Sequence, residues 1–383
     1  MKVVSINLKN WRNFKKAEIT LSDRAFFVGP NASGKSNFLE VFRFLRDLVK
    51  AGGGLQKAVV IDRGGLSKIR CLAARRDPLV EISITMEDLD KSKWKYEIGL
   101  KQQGFGLRLC LLKYERVYHD DKCVLDRPDD DDGKDEMRLS QTHLEQINSN
   151  QKFRCLAEYF NKIQYLHIVP QLLKYPSLVK IDAATEDPFG VHFVQRIWDT
   201  GSRTRASRLK KIEAALRLAV PEFEDLDIEK DEKGIPHLVV KYRHWRHDAV
   251  KQQEDQLSDG TLRLIGLLWA LLDSDSLLLL EEPELSLHSA IVRQLAPLIW
   301  RMQRIKGRQV FISTHSADLL GDKGIAPNEV LYLQPLGMEG TTIKNVASSE
   351  EIGCLLDGGM SMADAVLPKT VPENIDQMIM AFE

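Results

Sequence analysis

The stretch FVGPNASGKSNFLEVF, residues 26–41, constrains the fold of this chain more than any other part of it. The apolar run that enters it predicts a buried strand, and Phe38, Phe42 and Leu45 recur at helical spacing behind it. Between the two lies GPNASGKS, which matches the phosphate-loop pattern GxxxxGK followed by Ser or Thr at every fixed position. A strand, a glycine-rich loop and a helix in this order predict an α/β domain that binds a nucleotide.

The residue types of this loop suit the binding of phosphate. Its glycines let the backbone pass close to phosphate oxygens, and the first amides of the helix point at the negative charge. In such a loop Lys35 is placed for the β- and γ-phosphates, and the Ser36 hydroxyl for Mg²⁺. The predicted nucleotide-binding residues here are Gly29, Asn31, Ser33, Gly34, Lys35, Ser36 and Asn37.

The rest of the pattern extends an α/β core. In the last third, apolar strand-like runs alternate with helical patterns, which predicts a mostly parallel sheet between helices. The alternating runs at the N-terminus and between 79 and 116 predict antiparallel strands. Residues 150–163, 189–200 and 203–219 have helical patterns, and two further strand-like runs, EDLDIEK and HLVVKYRHW, follow them.

The segment LLLLEEPE, residues 277–284, predicts a buried strand that ends in two carboxylates at the edge of the sheet. One carboxylate can bind a metal, directly or through water, and the next can polarise an attacking water. We assign Glu281 to the first role and Glu282 to the second. Glutamate at the first position is longer than the more usual aspartate.

Two more segments carry candidate residues. LSDGT, residues 257–261, places Ser258, Asp259 and Gly260 at the start of a helix, where an anion can bind. FISTHSADLL ends a predicted strand with Ser, Thr and His315. The chain thus has two helix starts that can bind phosphate, one after GPNASGKS and one at LSDGT. A single γ-phosphate does not need both if they belong to the same subunit's site.

The motifs GPNASGKS, LSDGT, LLLLEEPE and STHS, in this order, resemble those of the ABC-type ATPases. With the opening INLKNWRNF they look like the RecF/SMC-related branch of prokaryotic AAA-family ATPases, which includes the ATPase parts of OLD-type phage-exclusion nucleases. The resemblance covers both ends and most of the last third, while residues 50–250 match only in coarse pattern. It implies an ABC-type, RecA-like P-loop ATPase head of the α/β class, with an antiparallel β subdomain and an inserted helical signature lobe.

The resemblance also implies cofactors and an assembly. ATP and Mg²⁺ would bind at the phosphate loop. In a head-to-tail homodimer, Ser258, Asp259 and Gly260 of one subunit would cover the nucleotide of the other. His315 resembles the switch histidine that contacts the γ-phosphate and holds the attacking water.

Further positions follow from the same resemblance. Arg12, with Asn10 as a second candidate, would support the nucleotide, and Gln171 would be the glutamine that senses Mg²⁺. His288, followed by serine where relatives usually have proline, would pack at the dimer interface. We expect one discontinuous head: residues 1–169 plus 264–383 form the nucleotide-binding core lobe, and residues 170–263 form the signature lobe.

Composition limits the partners. Lys and Arg number 54 against 55 Asp and Glu, so overall charge favours neither nucleic acid nor a membrane surface. Basic clusters at 202–211 and 243–247, the second with Trp245, could contact phosphates or form solvated faces. The acidic run at 126–136 predicts a solvated loop. Five cysteines without a CxxC pair argue against a disulfide framework and a zinc site, and the absence of a membrane-length apolar run favours the cytoplasm.

Two functions from different classes remain open. Sustained heptads are missing, and the roughly 65 residues after His315 are too few for an appended Toprim nuclease domain. We therefore expect an ATPase that controls a separately encoded effector, a nuclease or Toprim-like protein, in anti-phage defence. The alternative is a RecF-like clamp that ATP closes on DNA. A transporter subunit is less favoured, because those ATPases typically carry LSGGQ and an aspartate where this chain has LSDGT and Glu281.

Overall fold

The computed structural model describes residues 1–104, 108–176, 187, 189–243, 251–372 and 375–378. Within these residues the chain forms fifteen strands. They are β1 (Lys2–Trp11), β2 (Phe14–Thr20), β3 (Arg24–Val28), β4 (Val80–Glu87), β5 (Lys93–Gln102), β6 (Cys110–His119), β7 (Lys122–Arg127), β8 (Gln164–Leu166), β9 (Phe223–Lys230), β10 (Pro236–Tyr242), β11 (Lys251–Gln253), β12 (Leu278–Glu281), β13 (Val310–Ser313), β14 (Val330–Pro335) and β15 (Thr341–Asn345).

Twelve α-helices lie in the same described residues, joined by short 3₁₀ turns and one π-helical segment. They are α1 (Lys35–Val49), α2 (Leu66–Ile69), α3 (Asp130–Lys134), α4 (Arg154–Asn161), α5 (Pro170–Lys174), α6 (Phe193–Asp199), α7 (Ser202–Ala219), α8 (Asp259–Asp273), α9 (Ser289–Lys306), α10 (Ala317–Leu320), α11 (Glu350–Asp357) and α12 (Met362–Val366).

A six-stranded sheet positions the motifs. Its order is β15-β14-β3-β13-β12-β8, and every neighbouring pair is parallel except β14 and β15. β3 is buried along its whole length, because β13 and β14 flank it and apolar side chains cover both faces. The loops after β3, β12 and β13 therefore meet at one edge, as the alternating sequence pattern predicts.

The second sheet is antiparallel and has the order β2-β1-β4-β5-β6-β7. Alternate residues of β4 are buried, as expected for a sheet with one face on the core. The indole N–H of Trp11 donates to the carbonyl oxygen of Asn37 at 2.8 Å, which ties this sheet to α1. Phe27 and Phe38, with ring centroids 4.5 Å apart, join α1 to β3 in the shared core. These features confirm the expected antiparallel β subdomain.

Residues 170–263 combine α5, α6 and α7 with a three-stranded antiparallel sheet, β11-β10-β9. The runs EDLDIEK and HLVVKYRHW correspond to β9 and β10, while β11 has only three residues and left no pattern to recognise. Leu209, Ile212 and Leu238 pack with the first turns of α8 in a separate apolar cluster. Trp245 and most of the basic stretch 243–247 lie outside the described residues.

The expectation of a solvated loop at 126–136 is wrong for its central part. Asp132 is 2% exposed and accepts hydrogen bonds from Arg127 at 2.9 and 2.8 Å, within the short helix α3. Arg127 also bonds Glu115 at 3.1 Å. The run looked solvated because nothing in the sequence indicated that its arginine, Arg127, is buried against Glu115 of another strand. A charge that finds such a partner can be buried.

Beyond residue 350, where the sequence pattern predicted nothing, α11 and α12 pack Ile352, Met362 and Val366 against the core. All five cysteines are free thiols, as expected without a disulfide framework. Searching the described part of the chain finds no helix long and apolar enough to cross a bilayer.

Candidate functional site

The glycine-rich loop after β3 has a backbone that only glycine fits at its last position. Gly34 has a φ of 99° and precedes α1 without a side-chain cap. A Cβ atom on Gly34 would lie 2.1 Å from the Asn13 side-chain nitrogen, which itself donates to the carbonyl oxygen of Ser33 at 2.7 Å. The loop is thus held from outside by Asn13, and the first amides of α1 stay available for an anion.

Lys35 is buried inside this loop. Its ammonium group donates to the carbonyl oxygens of Gly29 and Pro30 at 3.1 and 3.2 Å. Burial lowers the pKa of Lys35, and the nearby carboxylates of Glu282, Glu281 and Glu284 oppose that shift. A positive charge therefore stands between the phosphate loop and three acids.

Glu281, the last residue of β12, meets the phosphate loop directly. The Ser36 hydroxyl donates a short hydrogen bond to Oε1 of Glu281, and the Tyr165 hydroxyl donates another to Oε2. The structure thus brings together the two residues predicted to hold Mg²⁺. Tyr165, which the sequence reasoning missed, is the second donor.

Glu282 lies beside His315. Its backbone has a φ of 44°, and its amide donates to the carbonyl oxygen of Ser313 at 3.0 Å. The Glu282 carboxylate is 3.6 Å from Nε2 of His315. Burial and the Lys35 charge lower the pKa of His315, while Glu282 opposes them. The neutral imidazole is therefore favoured at neutral pH.

Glu284 completes an acidic cluster of Glu281, Glu282 and Glu284. The Thr314 hydroxyl and the His315 amide both donate to Oε1 of Glu284. Burial raises the pKa of Glu284. Within the described residues, Oε2 of Glu284 has no hydrogen-bond partner, nor do the buried hydroxyls of Ser33 and Ser313. Glu284 received no role from the sequence, although LLLLEEPE contains a third acid.

The signature segment, residues 257–261, makes hydrogen bonds within its own chain. The Ser258 hydroxyl accepts a hydrogen bond from the Thr261 amide at 3.1 Å and so caps α8. The Asp259 carboxylate accepts from Gln171 and Lys174, each at 2.7 Å. A Cβ on Gly260 would lie 2.6 Å from the carbonyl oxygen of Ser286, so the segment after the acidic cluster rests on the start of α8.

Three other predicted residues occupy different places. Gln171 contacts Asp259 of the signature segment, and its role as a Mg²⁺ sensor stays a prediction. Arg12 donates to the carbonyl oxygen of Lys68 at 3.1 Å, and Asn10 is buried and donates to that of Leu79 at 2.8 Å. Their support of a nucleotide also stays a prediction.

His288 caps α9, because its Nδ1 accepts from the amide of Ala290 at 3.2 Å. Its place in a dimer interface is a prediction that a single chain does not test.

Arg263, on α8, is a further residue that the sequence reasoning missed. It lines a small cleft with Glu281, Glu282 and Pro283, and burial lowers its pKa. It was missed because a charge between apolar helix residues reads as a solvated position. No sequence signal links it to acids on another strand.

The donor set fits a nucleotide with Mg²⁺. The buried oxygens of Ser33, Glu284 and Ser313 at this site lack partners in the described chain, the glycine loop leaves amides free, and Lys35 offers a cation. Among the described residues, no group of three or more His, Cys, Asp or Glu is arranged to hold a metal alone. Mg²⁺ typically takes one or two protein ligands and completes its shell with phosphate oxygens and water. Ser36 and Glu281 are the residues that would hold it.

Comparison with known proteins identifies the family of this chain. Residues 24–321, well over half of the chain, match the family described as "AAA domain, putative AbiEii toxin, Type IV TA system". A stretch of 46 residues is 50% identical to the DNA replication and repair protein RecF of Chlamydia caviae and covers 12% of each chain. A stretch of 47 residues is 47% identical to Endonuclease GajA of Bacillus cereus and covers 12% of this chain and 8% of GajA. The chain thus matches only a small part of either relative.

Solved structures share the fold. The Smc head bound to the C-terminal winged-helix domain of ScpA has a TM-score of 0.58 at 12% identity, over 90% of this chain and 98% of that one. A Smc head domain with an extended coiled coil, bound to the C-terminal domain of ScpA derived from Pyrococcus furiosus, has a TM-score of 0.53 at 14% identity, over 94% and 100%. The family match shows that the chain belongs to this AAA domain family, and the solved structures show that it has the fold of an ABC-type P-loop ATPase head.

Proposed function

We propose that the chain binds ATP with Mg²⁺ at residues 29–37, hydrolyses it, and dimerises head to tail around two ATP molecules in the cytoplasm. The observation that carries this proposal is the contact of Ser36 with Glu281, with Glu282 and His315 beside them. A phosphate-loop hydroxyl, a carboxylate beside it and an acid–imidazole pair are the groups that phosphoryl transfer to water requires.

Each group has a separate task in this proposal. Lys35 and the amides at the start of α1 bind the β- and γ-phosphates, and Ser36 and Glu281 hold Mg²⁺, which neutralises phosphate charge when bound. Glu282 takes a proton from the attacking water. Neutral His315, 3.6 Å from Glu282, orients that water and contacts the γ-phosphate.

The dimer is supported by the position of α8. Ser258, Asp259 and Gly260 open a 15-residue helix, and their own chain has a separate helix start, α1, at the phosphate loop. A partner subunit's nucleotide would use the second anion site. Mutual coverage of this kind makes binding of ATP and closure of the dimer a single event.

The core lobe, residues 1–169 plus 264–383, would carry the nucleotide, and residues 170–263 would carry the signature in this proposal. The separate apolar cluster around Leu209, Ile212 and Leu238 supports a distinct second lobe, and it also includes Leu264, Ile265 and Leu268 of α8, at the start of the core-lobe range. Gln171, bonded to Asp259, would then link a Mg²⁺-sensing segment to the signature.

For the biological role, the leading proposal is control of a separately encoded effector with nuclease activity, in defence against phages. It is supported by the local similarity to a protein named as an endonuclease. The alternative, a DNA-binding clamp, is supported by the similarity to RecF and by the exposed cations Arg203, Lys210 and Lys211 on α7. Two more cations of that cluster are engaged internally, because Arg205 lies 4.5 Å from the Trp198 ring centroid and Arg208 bonds Asp273.

The first test compares Lys35→Ala and Glu282→Gln with the wild-type protein in ATP binding and turnover. We expect Lys35→Ala to lose nucleotide binding, because the buried cation at the phosphates is gone. Glu282→Gln should bind ATP but turn over at least about 100-fold more slowly and accumulate as a closed dimer. Lys15→Ala, which removes an exposed lysine paired with Glu339, is the matched control and should change neither. Undiminished turnover in Glu282→Gln would falsify the general-base assignment.

The second test separates the two biological roles. Glu282→Gln is purified with ATP and Mg²⁺ from a host that carries the native neighbouring genes, and the intact assembly is weighed. A second polypeptide at fixed stoichiometry supports the effector proposal. A bare dimer that retains DNA, with an affinity that falls steeply with salt, supports the clamp.

A further inference from the structure

The edge strand β8 holds Glu281 in addition to extending the sheet. β8 pairs in parallel with β12, with Tyr165 opposite Leu279. The Tyr165 hydroxyl donates to one carboxylate oxygen of Glu281, while Ser36 donates to the other. Nδ1 of His167, two residues on, lies 3.3 Å from the Glu281 carbonyl oxygen. Both the side chain and the backbone of Glu281 therefore contact the same short segment.

Tyr165 is itself fixed in place. The guanidinium group of Arg43 lies over its ring, 4.3 Å from the centroid, and Arg43 bonds Glu40 at 2.7 Å. A cation on one face of a partly buried ring restricts how far the ring can turn.

The contact explains why a glutamate serves where an aspartate is more usual. Glutamate has one more methylene and one more rotatable bond than aspartate, so it reaches farther and is less well fixed. Two hydroxyl donors, one at each carboxylate oxygen, remove that freedom. An aspartate at 281 would end one methylene short and could not keep both contacts.

We propose that Tyr165 is a positioning residue that fixes the Glu281 carboxylate for Mg²⁺ and suits this site to glutamate at position 281. The inference deepens the proposed function and rests on it. Hydrogen-bond partners that orient a metal ligand typically change metal affinity by about 10–100-fold when removed.

The test measures how binding of a fluorescent ATP analogue to the full-length protein depends on Mg²⁺ concentration. In Tyr165→Phe, the half-saturating Mg²⁺ concentration should rise by at least about 10-fold. Binding of the analogue without Mg²⁺ and the thermal unfolding temperature should stay close to wild type, because the ring and its contact with Arg43 remain. These two readouts separate a positioning role from a loss of folding.

Tyr159→Phe is the matched control. The Tyr159 hydroxyl is buried and has no hydrogen-bond partner in the described chain, so the same substitution removes no contact with an acid. Its Mg²⁺ dependence should equal that of the wild type. An equal rise in both variants would overturn the proposal, because the effect would then follow from any buried hydroxyl.

A double substitution tests the match to glutamate. Glu281→Asp should raise the half-saturating Mg²⁺ concentration strongly in the wild-type background. The rise should be smaller in Tyr165→Phe, because the hydroxyl contact is already lost there. Additive effects, or an unchanged half-saturation in Tyr165→Phe, would overturn the inference and leave the proposed function standing. A wild-type protein that binds no nucleotide would overturn both.

Discussion

Two acidic regions of this molecule are built from similar parts and differ in how completely those parts are paired. The first is the acidic cluster of Glu281, Glu282 and Glu284 at the end of the central sheet. The second, the Arg127 network, comprises Arg127, Glu115 and Asp132 in the antiparallel sheet. Each has at least one glutamate, a basic side chain and a tyrosine hydroxyl bonded to a carboxylate.

The Arg127 network is closed. Arg127 bonds Asp132 and Glu115 and also donates to the carbonyl oxygens of Gln141 and Arg138 at 2.9 and 3.0 Å. Glu115 accepts from Tyr96 at 3.2 Å and from two backbone amides, His143 and Leu144, at 2.7 and 3.0 Å. Arg127 and the Asp129 amide lower the pKa of Asp132 despite its burial.

The acidic cluster is open by comparison. Lys35 is held only loosely, by two carbonyl oxygens, and buried oxygens of Glu284, Ser33 and Ser313 lack partners in the described residues. An unpaired buried polar group destabilises a fold unless something binds it. The comparison teaches that the closed network contributes stability, whereas the open cluster retains capacity for a ligand.

The largest expected effect breaks the closed network. Arg127→Met leaves the fully buried Glu115 carboxylate without a cation and leaves Asp132 with Arg138 alone, at 3.1 Å, so the free energy of unfolding should fall by about 3–5 kcal/mol. Chemical denaturation at pH 7 measures this. Arg116→Met, on the preceding strand, removes an ion pair whose side chains are 39% and 59% exposed, and should lower stability by less than about 1 kcal/mol. Equal losses of stability in the two variants would show that the Arg127 network contributes no more than an exposed ion pair.

A smaller loss is expected from Thr142→Ala beside the same network. The buried Thr142 hydroxyl donates to Glu145 at 2.8 Å and accepts from the Glu145 amide at 3.1 Å. Removing it leaves a buried donor and a carboxylate less well paired, which should lower the free energy of unfolding by about 1–2 kcal/mol. An unchanged denaturation midpoint would mean that water replaces the hydroxyl.

In the open cluster, a substitution should stabilise the protein. Glu284→Gln keeps the oxygen that accepts from Thr314 and removes a buried charge, so stability without ligand should rise by about 1 kcal/mol at pH 7. The folded-state pKa of Glu284 is raised, so the wild-type side chain stabilises the fold when it is protonated. This contribution to the free energy of unfolding is full below about pH 4.3 and is lost as the pH rises through the folded-state pKa. The variant's advantage should therefore vanish near pH 4 and grow toward pH 7. A pH-independent difference would contradict this explanation.

The smallest expected change in stability comes from Ser33→Ala. The Ser33 hydroxyl is buried and lacks a partner in the described structure, so its removal should shift the free energy of unfolding by no more than about 0.5 kcal/mol. ATP affinity should nevertheless fall several-fold, because the hydroxyl then cannot bind phosphate. A loss of stability like that of Thr142→Ala would show that Ser33 has a structural partner.

The sequence predicted those features that depend on residues close together in the chain. The phosphate loop, the strands β3, β12 and β13 and their parallel arrangement follow from local patterns. The sequence did not predict the partners of these motifs. Tyr165 lies 116 positions from Glu281, and Asn13 lies 20 from Ser33. Asp132 looked solvated because its cation, Arg127, is buried by contact with Glu115 on a different strand. Only the topology brings such residues together.

The contact between Asn13 and the phosphate loop has a consequence for folding during synthesis. Asn13 donates to Ser33 and also to the hydroxyl of Thr341 at 2.8 Å, and β3 lies between β13 and β14. The N-terminal motif is therefore completed by residues more than 300 positions later. A nascent chain that has emerged only to residue 300 carries the whole glycine loop on a strand without neighbours. Nucleotide binding can therefore begin only after β13 and β14 have been made, and until then β3 needs protection from aggregation.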